Sequence, residues 1–94
     1  MVKIEKTGKF NQLLDELYFV NPELKAEIDK RIIWFQKNPQ DTRLKNHSLT
    51  GRMIDKWAFS ITGDIRIVYE WLGKTAVRFL AIGGHQRVYK RKSS

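Results

Sequence analysis

The sequence contains no cysteine, so it forms neither a disulfide framework nor a thiolate zinc site. This composition fits a reducing compartment, and we expect a cytoplasmic protein that needs no metal and no cofactor. No run of about 18 apolar residues occurs, which argues against a membrane-spanning helix and a membrane partner. Residues 1–6 include no apolar signal core, which argues against secretion.

The 94 residues suffice for one compact domain with a modest core, since 41% of them are hydrophobic. The formal net charge of +8 is unevenly distributed: residues 1–47 carry +2 and residues 48–94 carry +6. Such an excess attracts polyanions, with nucleic acid as the first candidate and acidic proteins or anionic lipid behind it. The simplest alternative is a basic surface that only keeps the protein soluble.

The first half of the sequence predicts one strand and two helices. Residues 2–6 alternate apolar and charged side chains, which is the period of a short strand. Apolar residues at helical spacing then predict a helix from Lys9 to Phe19 or Val20. Asn21-Pro22-Glu23 favours the start of a second helix, which Asn38-Pro39 ends. The short connection predicts an antiparallel helix hairpin.

The second half predicts a basic loop and a sheet. Residues 41–56 show no clear period, and we expect an exposed basic loop with a short strand. Three runs of strand length follow, at residues 57–62, 65–72 and 76–82. The dipeptides Gly63-Asp64 and Gly73-Lys74 separate them and suit two-residue hairpin turns. The sequence therefore predicts a three-stranded antiparallel meander.

Arg66 is the unusual residue of this meander, because a guanidinium among apolar residues is costly unless it has a partner. Two-residue turns would place it opposite Ile61 and Ala81, on the sheet face of Phe59 and Val68. Arg66 is therefore a candidate site for a substrate anion. Both faces of this sheet would be largely apolar, so we expect the helices to cover one and a partner protein to cover the other.

Three segments carry a resemblance to a known family: Asn46-His47-Ser48-Leu49-Thr50-Gly51, the run from Trp57 to Tyr69, and Ala81-Ile82-Gly83-Gly84-His85 with Val88-Tyr89. Together they resemble the RelE/ParE superfamily of toxins over nearly the whole chain. The closing Gly-x-His-x-x-x-Tyr pattern is most similar to its YafQ-type branch. The resemblance implies a single RelE/ParE-like toxin domain over residues 1–94. Its fold class would be α+β, with an N-terminal strand and a helix hairpin on a three- to four-stranded, mainly antiparallel sheet.

In function, the resemblance implies the toxin of a type II toxin-antitoxin system, an endoribonuclease that cleaves mRNA on the ribosome. Its partners would be a cognate antitoxin, the ribosome and mRNA, and the toxin-antitoxin complex would bind operator DNA through the antitoxin. The alternative is a ParE-like toxin that inhibits DNA gyrase without nuclease chemistry, because both activities occur on one fold. A third reading is an inactive remnant or a basic RNA-binding module.

The resemblance also implies roles for particular residues. His85 would be the principal general acid or base, and Arg66 would stabilise the phosphate in the transition state. Asp64 would orient or proton-couple with a histidine, His47 would assist from the loop, and Tyr89 would stack on or position a nucleotide. Basic residues would hold RNA phosphates by charge, and these are Lys45, Arg52, Lys56, Arg87 and Lys90.

Structural roles compete with these assignments. Asp64 is also a good turn former, and Arg66 would be satisfied by an ion pair with Asp64 or Glu70. The chain departs from the YafQ-type pattern as well, since Ser60 stands where some members have a histidine and Ile65 where some have a tryptophan. These departures predict a smaller or rearranged set of proton-transfer groups.

Overall fold

The computed structural model describes residues 1–84, which form two helices and one five-stranded sheet. The elements are β1 Lys3–Lys6, α1 Gly8–Val20, α2 Leu24–Lys37, β2 His47–Ser48, β3 Trp57–Ser60, β4 Ile65–Trp71 and β5 Ala76–Gly84, with short 3-10 helices at Thr42–Leu44 and Gly51–Met53. The strand order is β1-β5-β4-β3-β2, with β1 parallel to β5 and the other neighbours antiparallel. The α+β class is confirmed.

The strand count is five, whereas the sequence predicts three or four. The extra strand is β2, where His47 and Ser48 of the basic loop pair with Ala58 and Trp57. It is the short strand that the sequence predicts within the basic loop, and it lies along the edge of β3. No helix in the described part of the chain is long and apolar enough to cross a membrane.

Local side-chain chemistry explains where the helices begin. Thr7 caps α1: its hydroxyl accepts a hydrogen bond from Phe10 N (3.0 Å) and donates one to the carbonyl of Phe79 (3.1 Å), which fastens the helix to β5. The second helix begins at Leu24, later than the Asn21 cap predicts. The carbonyl of Asn21, rather than its side chain, accepts the hydrogen bond from Leu24 N (3.0 Å).

Phe35 lies at the centre of the core between the helices and the sheet. Its ring stacks on Phe59 at 4.6 Å between centroids and contacts Tyr69 edge-on at 4.9 Å. Phe79 lies at 5.9 Å on the same side of the sheet, and all four rings are fully buried. Phe10, Leu13 and Ile28 complete the cluster from the helices. One sheet face therefore carries most of the apolar burial.

The predicted register of the meander is wrong. The two connections are four residues long, at residues 61–64 and 72–75, with Ile61 N bonded to Ile65 O and Leu72 N to Ala76 O, each at 2.8 Å. Because of these longer connections, and of a register shift between Val68 and Tyr69 in the pairing of β4 with β5, Arg66 lies opposite Ser60 and Gly83. An offset of one residue exchanges the faces of a strand, so Phe59 packs towards the helices while Arg66 lies on the other face with Ser60.

That other face is covered by the chain itself, which corrects the expectation of a partner protein there. Ala58 and Val68 are buried, and Leu49 and Met53 pack against them. These two residues belong to the segment predicted to be an exposed loop. The loop is therefore part of the second, smaller core, and Arg66 lies near its margin.

Candidate functional site

Arg66 occupies the middle of the sheet and points away from the helices. Its Nη1 donates a hydrogen bond to Ser60 Oγ on the neighbouring strand, and on the other side Gly83 places no side chain beside it. Of the ion pairs among residues 1–84, none includes Arg66. The alternative pair with Glu70 is wrong, because Glu70 binds Lys56 (3.3 Å) and Arg78 (3.0 Å).

An open pocket of about 180 Å³ lies beside Arg66 at the end of β3. Four cations line it, and they are Arg31, Arg43, Lys45 and Arg66. The remaining lining residues among residues 1–84 are Ser60, Thr62 and Gly63, so this part of the lining contains two hydroxyls and no carboxylate. We call it the basic pocket. A cavity that combines several fixed cations with hydroxyl donors suits a phosphate group.

Arg31 is held rigidly at the pocket by three segments. Its Nε donates to Glu27 (2.7 Å), and its Nη1 donates to the carbonyls of Arg43 (3.0 Å) and Ser60 (3.3 Å). Glu27 and Arg31 are four residues apart on α2 and form an i,i+4 ion pair, and the hydrogen bonds from Arg31 and then Lys30 lower the pKa of the Glu27 carboxyl. The sequence alone gives Arg31 only this structural role and does not indicate that it lines a pocket.

Arg43 is oriented by an acid and an indole. Its Nε and Nη2 donate to the two oxygens of Asp41 at 3.0 and 2.7 Å, and its guanidinium carbon lies 3.6 Å from the ring centre of Trp34. The bonds from Arg43 lower the pKa of Asp41 to about 2, so this carboxylate stays charged at neutral pH. The Asp-x-Arg spacing in the sequence is the signal for this pair, but its approach to Trp34 needs the fold.

Lys45 lines the basic pocket, and His47 follows it in the basic loop without lining the pocket. Lys45 has a left-handed backbone (φ 52°), and its carbonyl lies 3.0 Å from Nδ1 of the exposed His47. His47 pairs with Ala58 and so faces the same side as Ser60 and Arg66. Strand spacing puts the Cα atoms of His47 and Arg66 about 12 Å apart. The two side chains would therefore contact different parts of a common substrate, several atoms apart.

Asn46 attaches this loop to the core. Its amide donates to the carbonyl of Pro39 (2.8 Å) and accepts from the hydroxyl of Tyr69 (2.9 Å). Tyr69 is fully buried, and this burial raises the pKa of its hydroxyl to about 12. The loop that carries Lys45 and His47 is therefore positioned by a buried hydrogen bond.

Tyr69→Phe is expected to lower the free energy of unfolding by about 1–2 kcal/mol, because it removes this bond and leaves the Asn46 oxygen unpaired. It should also remove a pH effect. In the native protein the raised pKa contributes stability below pH about 10 that is lost as pH rises towards 12, where the unfolded chain ionises first. Urea unfolding of both proteins at several alkaline pH values checks this, and parallel pH curves would contradict it.

Asp64 lies against the end of β5. Its backbone N–H donates to Thr62 Oγ1 (3.2 Å), as a turn former would, and one carboxylate oxygen is 3.0 Å from where a Cβ on Gly84 would be. Gly84 immediately precedes His85 in the sequence. The structure thus brings the Asp64 carboxylate to the backbone that leads into His85, and a side chain at position 84 would require this carboxylate to shift.

The other predicted site residues lie away from the basic pocket or outside the described residues. Arg52 is exposed in the 3-10 helix Gly51–Met53, and Lys56 is paired with Glu70, so neither lines the basic pocket. Four predicted residues lie outside the described residues, and these are His85, Arg87, Tyr89 and Lys90. The roles of all the predicted site residues remain predictions.

Two helices on one face of a mixed five-stranded sheet, with β1 running parallel to β5, are also the fold of YafQ and of a YoeB/ParE toxin. The fold that the sequence resemblance implies is therefore confirmed. No protein-family model matches the chain, and no curated protein matches it in sequence.

The structural neighbours themselves are distant in sequence. A copper-bound mutant toxin from Helicobacter pylori has a TM-score of 0.77 at 21% identity, with 94% of this chain and 99% of that chain covered. YafQ from Escherichia coli has a TM-score of 0.77 at 18% identity, with 95% and 99% covered, and also matches in its complex with DinJ. A YoeB/ParE toxin from Agrobacterium tumefaciens has a TM-score of 0.75 at 20% identity, with 89% and 99% covered.

Proposed function

We propose that this protein is the toxin of a type II toxin-antitoxin pair and that it cleaves mRNA on the ribosome. The observation that carries the proposal is the basic pocket, where Arg66 lies beside three further cations and two hydroxyls, with no carboxylate in the part of the lining formed by residues 1–84. A site of this kind stabilises a phosphate that gains negative charge in a transition state. The shared fold with toxins, including YafQ, supports the toxin role.

The cleavage would use the neighbouring 2′-hydroxyl as the nucleophile. As this oxygen attacks phosphorus it loses its proton, and the bond to the 5′-oxygen breaks as that oxygen gains one, leaving a 2′,3′-cyclic phosphate and a 5′-hydroxyl. Arg66 would neutralise the phosphate oxygens, and His85 would transfer a proton, with a reference pKa near 6.5 that suits both directions. Asp64, at the backbone leading into His85, would orient that imidazole.

The remaining assignments follow from the same proposal. His47 would approach the RNA from the basic loop, and Tyr89 would stack on a base. The partner would be an antitoxin, as DinJ forms a complex with YafQ, and operator DNA would be bound through that antitoxin. The ribosome and mRNA would be met in the cytoplasm.

A translation reaction supplied with the purified protein tests the proposal. We expect truncated mRNA whose new ends, mapped by primer extension, fall within the translated region. The Agrobacterium neighbour is named as a YoeB/ParE toxin, so a DNA gyrase supercoiling assay is run in parallel and should be unaffected. Intact mRNA together with inhibited supercoiling would show that the protein inhibits gyrase and is not a nuclease. Intact mRNA without growth arrest on expression would indicate an inactive protein.

A further inference from the structure

Arg43 presents a flat, fixed surface at the basic pocket. Its guanidinium lies over the Trp34 ring at 3.6 Å, and two hydrogen bonds to Asp41 hold it in that orientation. The Arg43 side chain is nevertheless 57% exposed. The side of the guanidinium that faces away from Trp34 is thus open. Because Asp41 and Trp34 already restrict the side chain, a ligand on that open side would cost little further conformational entropy.

The pocket next to this surface suits an anion. The guanidinium of Arg31 is anchored by Glu27 and by two backbone carbonyls, and it stands at the pocket together with Lys45 and Arg66. The carboxylates of Glu27 and Asp41 bind their arginines without lining the pocket. A negatively charged group would therefore meet cations and hydroxyls, and no acid stands among the lining residues that the structure describes.

A planar cation next to a phosphate-sized cavity matches a nucleotide of unpaired RNA. Unstacked bases bind to arginine planes, whereas a base inside a duplex already has partners on both faces. An acidic peptide would use the charge of the pocket but would have no use for the flat surface. We propose that the basic pocket binds one nucleotide of single-stranded RNA, with its phosphate between Arg31, Lys45 and Arg66 and its base stacked on Arg43. This subsite rests on the proposed function and extends the RNA contact towards Trp34.

Fluorescence anisotropy with a short labelled single-stranded RNA tests the subsite. The RNA carries 2′-O-methyl groups, so it cannot be cleaved during the measurement. Arg43→Ala should weaken binding about tenfold, the loss expected for one base stack, and should leave the slope of log K against log[KCl] near the wild-type value, because Arg31, Lys45 and Arg66 hold the phosphate. Arg43→Lys keeps the charge without the plane, so its slope should match the wild type while its affinity falls.

Lys37→Ala is the matched control, because Lys37 is an exposed cation at the end of α2 that does not line the pocket. The RNA affinity of Lys37→Ala should stay within about twofold of wild type, because an exposed cation outside the pocket contributes only non-specific attraction to the RNA. Thermal unfolding of all variants verifies that they fold. Equal losses in Arg43→Ala and Lys37→Ala would overturn the subsite.

Two further ligands sharpen the result. A duplex RNA of the same length and an acidic peptide of the same charge should bind more weakly than the single strand, with little dependence on Arg43. Tighter, Arg43-dependent binding of either one would overturn the assignment to unpaired RNA. The cleavage reaction distinguishes the two proposals. RNA binding that depends on Arg43 without any cleavage would support the subsite and contradict the nuclease activity. Cleavage together with RNA binding that does not depend on Arg43 would support the nuclease activity and contradict the subsite.

Discussion

Arg66→Ala is expected to reduce mRNA cleavage by about 10²–10³-fold, the effect of removing one preorganised charge donor from a transition state. The guanidinium lies at the basic pocket, and its hydrogen bond to Ser60 fixes its position. The free energy of unfolding should fall by about 1–3 kcal/mol, because the hydroxyl of the buried Ser60 loses this charged donor. The aromatic core is unchanged, so the variant should still fold. Initial rates of mRNA cleavage in a translation reaction measure the loss.

Two variants define what the loss means. Arg66→Lys retains the charge without the planar fork and should recover only part of the rate. Arg78→Ala removes another strand arginine, one that is paired with Glu5 and Glu70, and should cleave at nearly the wild-type rate. If Arg66→Ala and Arg78→Ala cleave equally well while both remain folded, Arg66 does not act on the phosphate.

Phe35→Ala is expected to lower the free energy of unfolding by about 3–5 kcal/mol, the range for deleting a buried aromatic ring. The side chain is fully buried and contacts the rings of Phe59, Tyr69 and Phe79, so its removal leaves a cavity between the helices and the sheet. Domains of this size have a total stability of about 5–15 kcal/mol. Urea unfolding should therefore show a large fall in the midpoint.

Phe19→Ala is the control for this prediction. Phe19 is a phenylalanine of the first helix with 89% of its surface exposed, so its truncation should change stability by no more than about 0.5 kcal/mol. Similar losses from both substitutions would mean that Phe35 is not the centre of the core.

Local sequence patterns predict most of the elements of this fold. The alternation of residues 2–6, the helical spacing before Val20 and the Asn38-Pro39 stop each act within a few residues, and the structure places β1, α1 and the end of α2 accordingly. The positions of β3, β4 and β5 also agree to within two residues. What the patterns do not predict is the length of the two connections, because Gly63-Asp64 and Gly73-Lys74 are compatible with turns of two residues or with longer ones.

In the candidate site, too, local sequence patterns predict some residues and miss others. Arg66 stands out in the sequence as a charge in an apolar strand, and Asp64 and His47 stand out through the resemblance to the toxin family. Arg31 and Arg43 do not, because each has an acid close by in sequence that explains it. Arg31 and Arg43 come close to Arg66 only because α2, the basic loop and the end of β3 pack together. No local sequence pattern predicts that packing.

The sequence by itself thus determined the fold class, the order of the elements and Arg66 as the residue to explain. Only the tertiary structure decided that Arg66 lies opposite Ser60 and Gly83, on the face away from the helices. The physical reason is that side chains alternate along a strand, so one residue of offset in a connection transfers a charge from one side of a sheet to the other. The basic pocket forms at the end of β3, where Arg66 meets Arg31 of α2 and the loop residues Arg43 and Lys45.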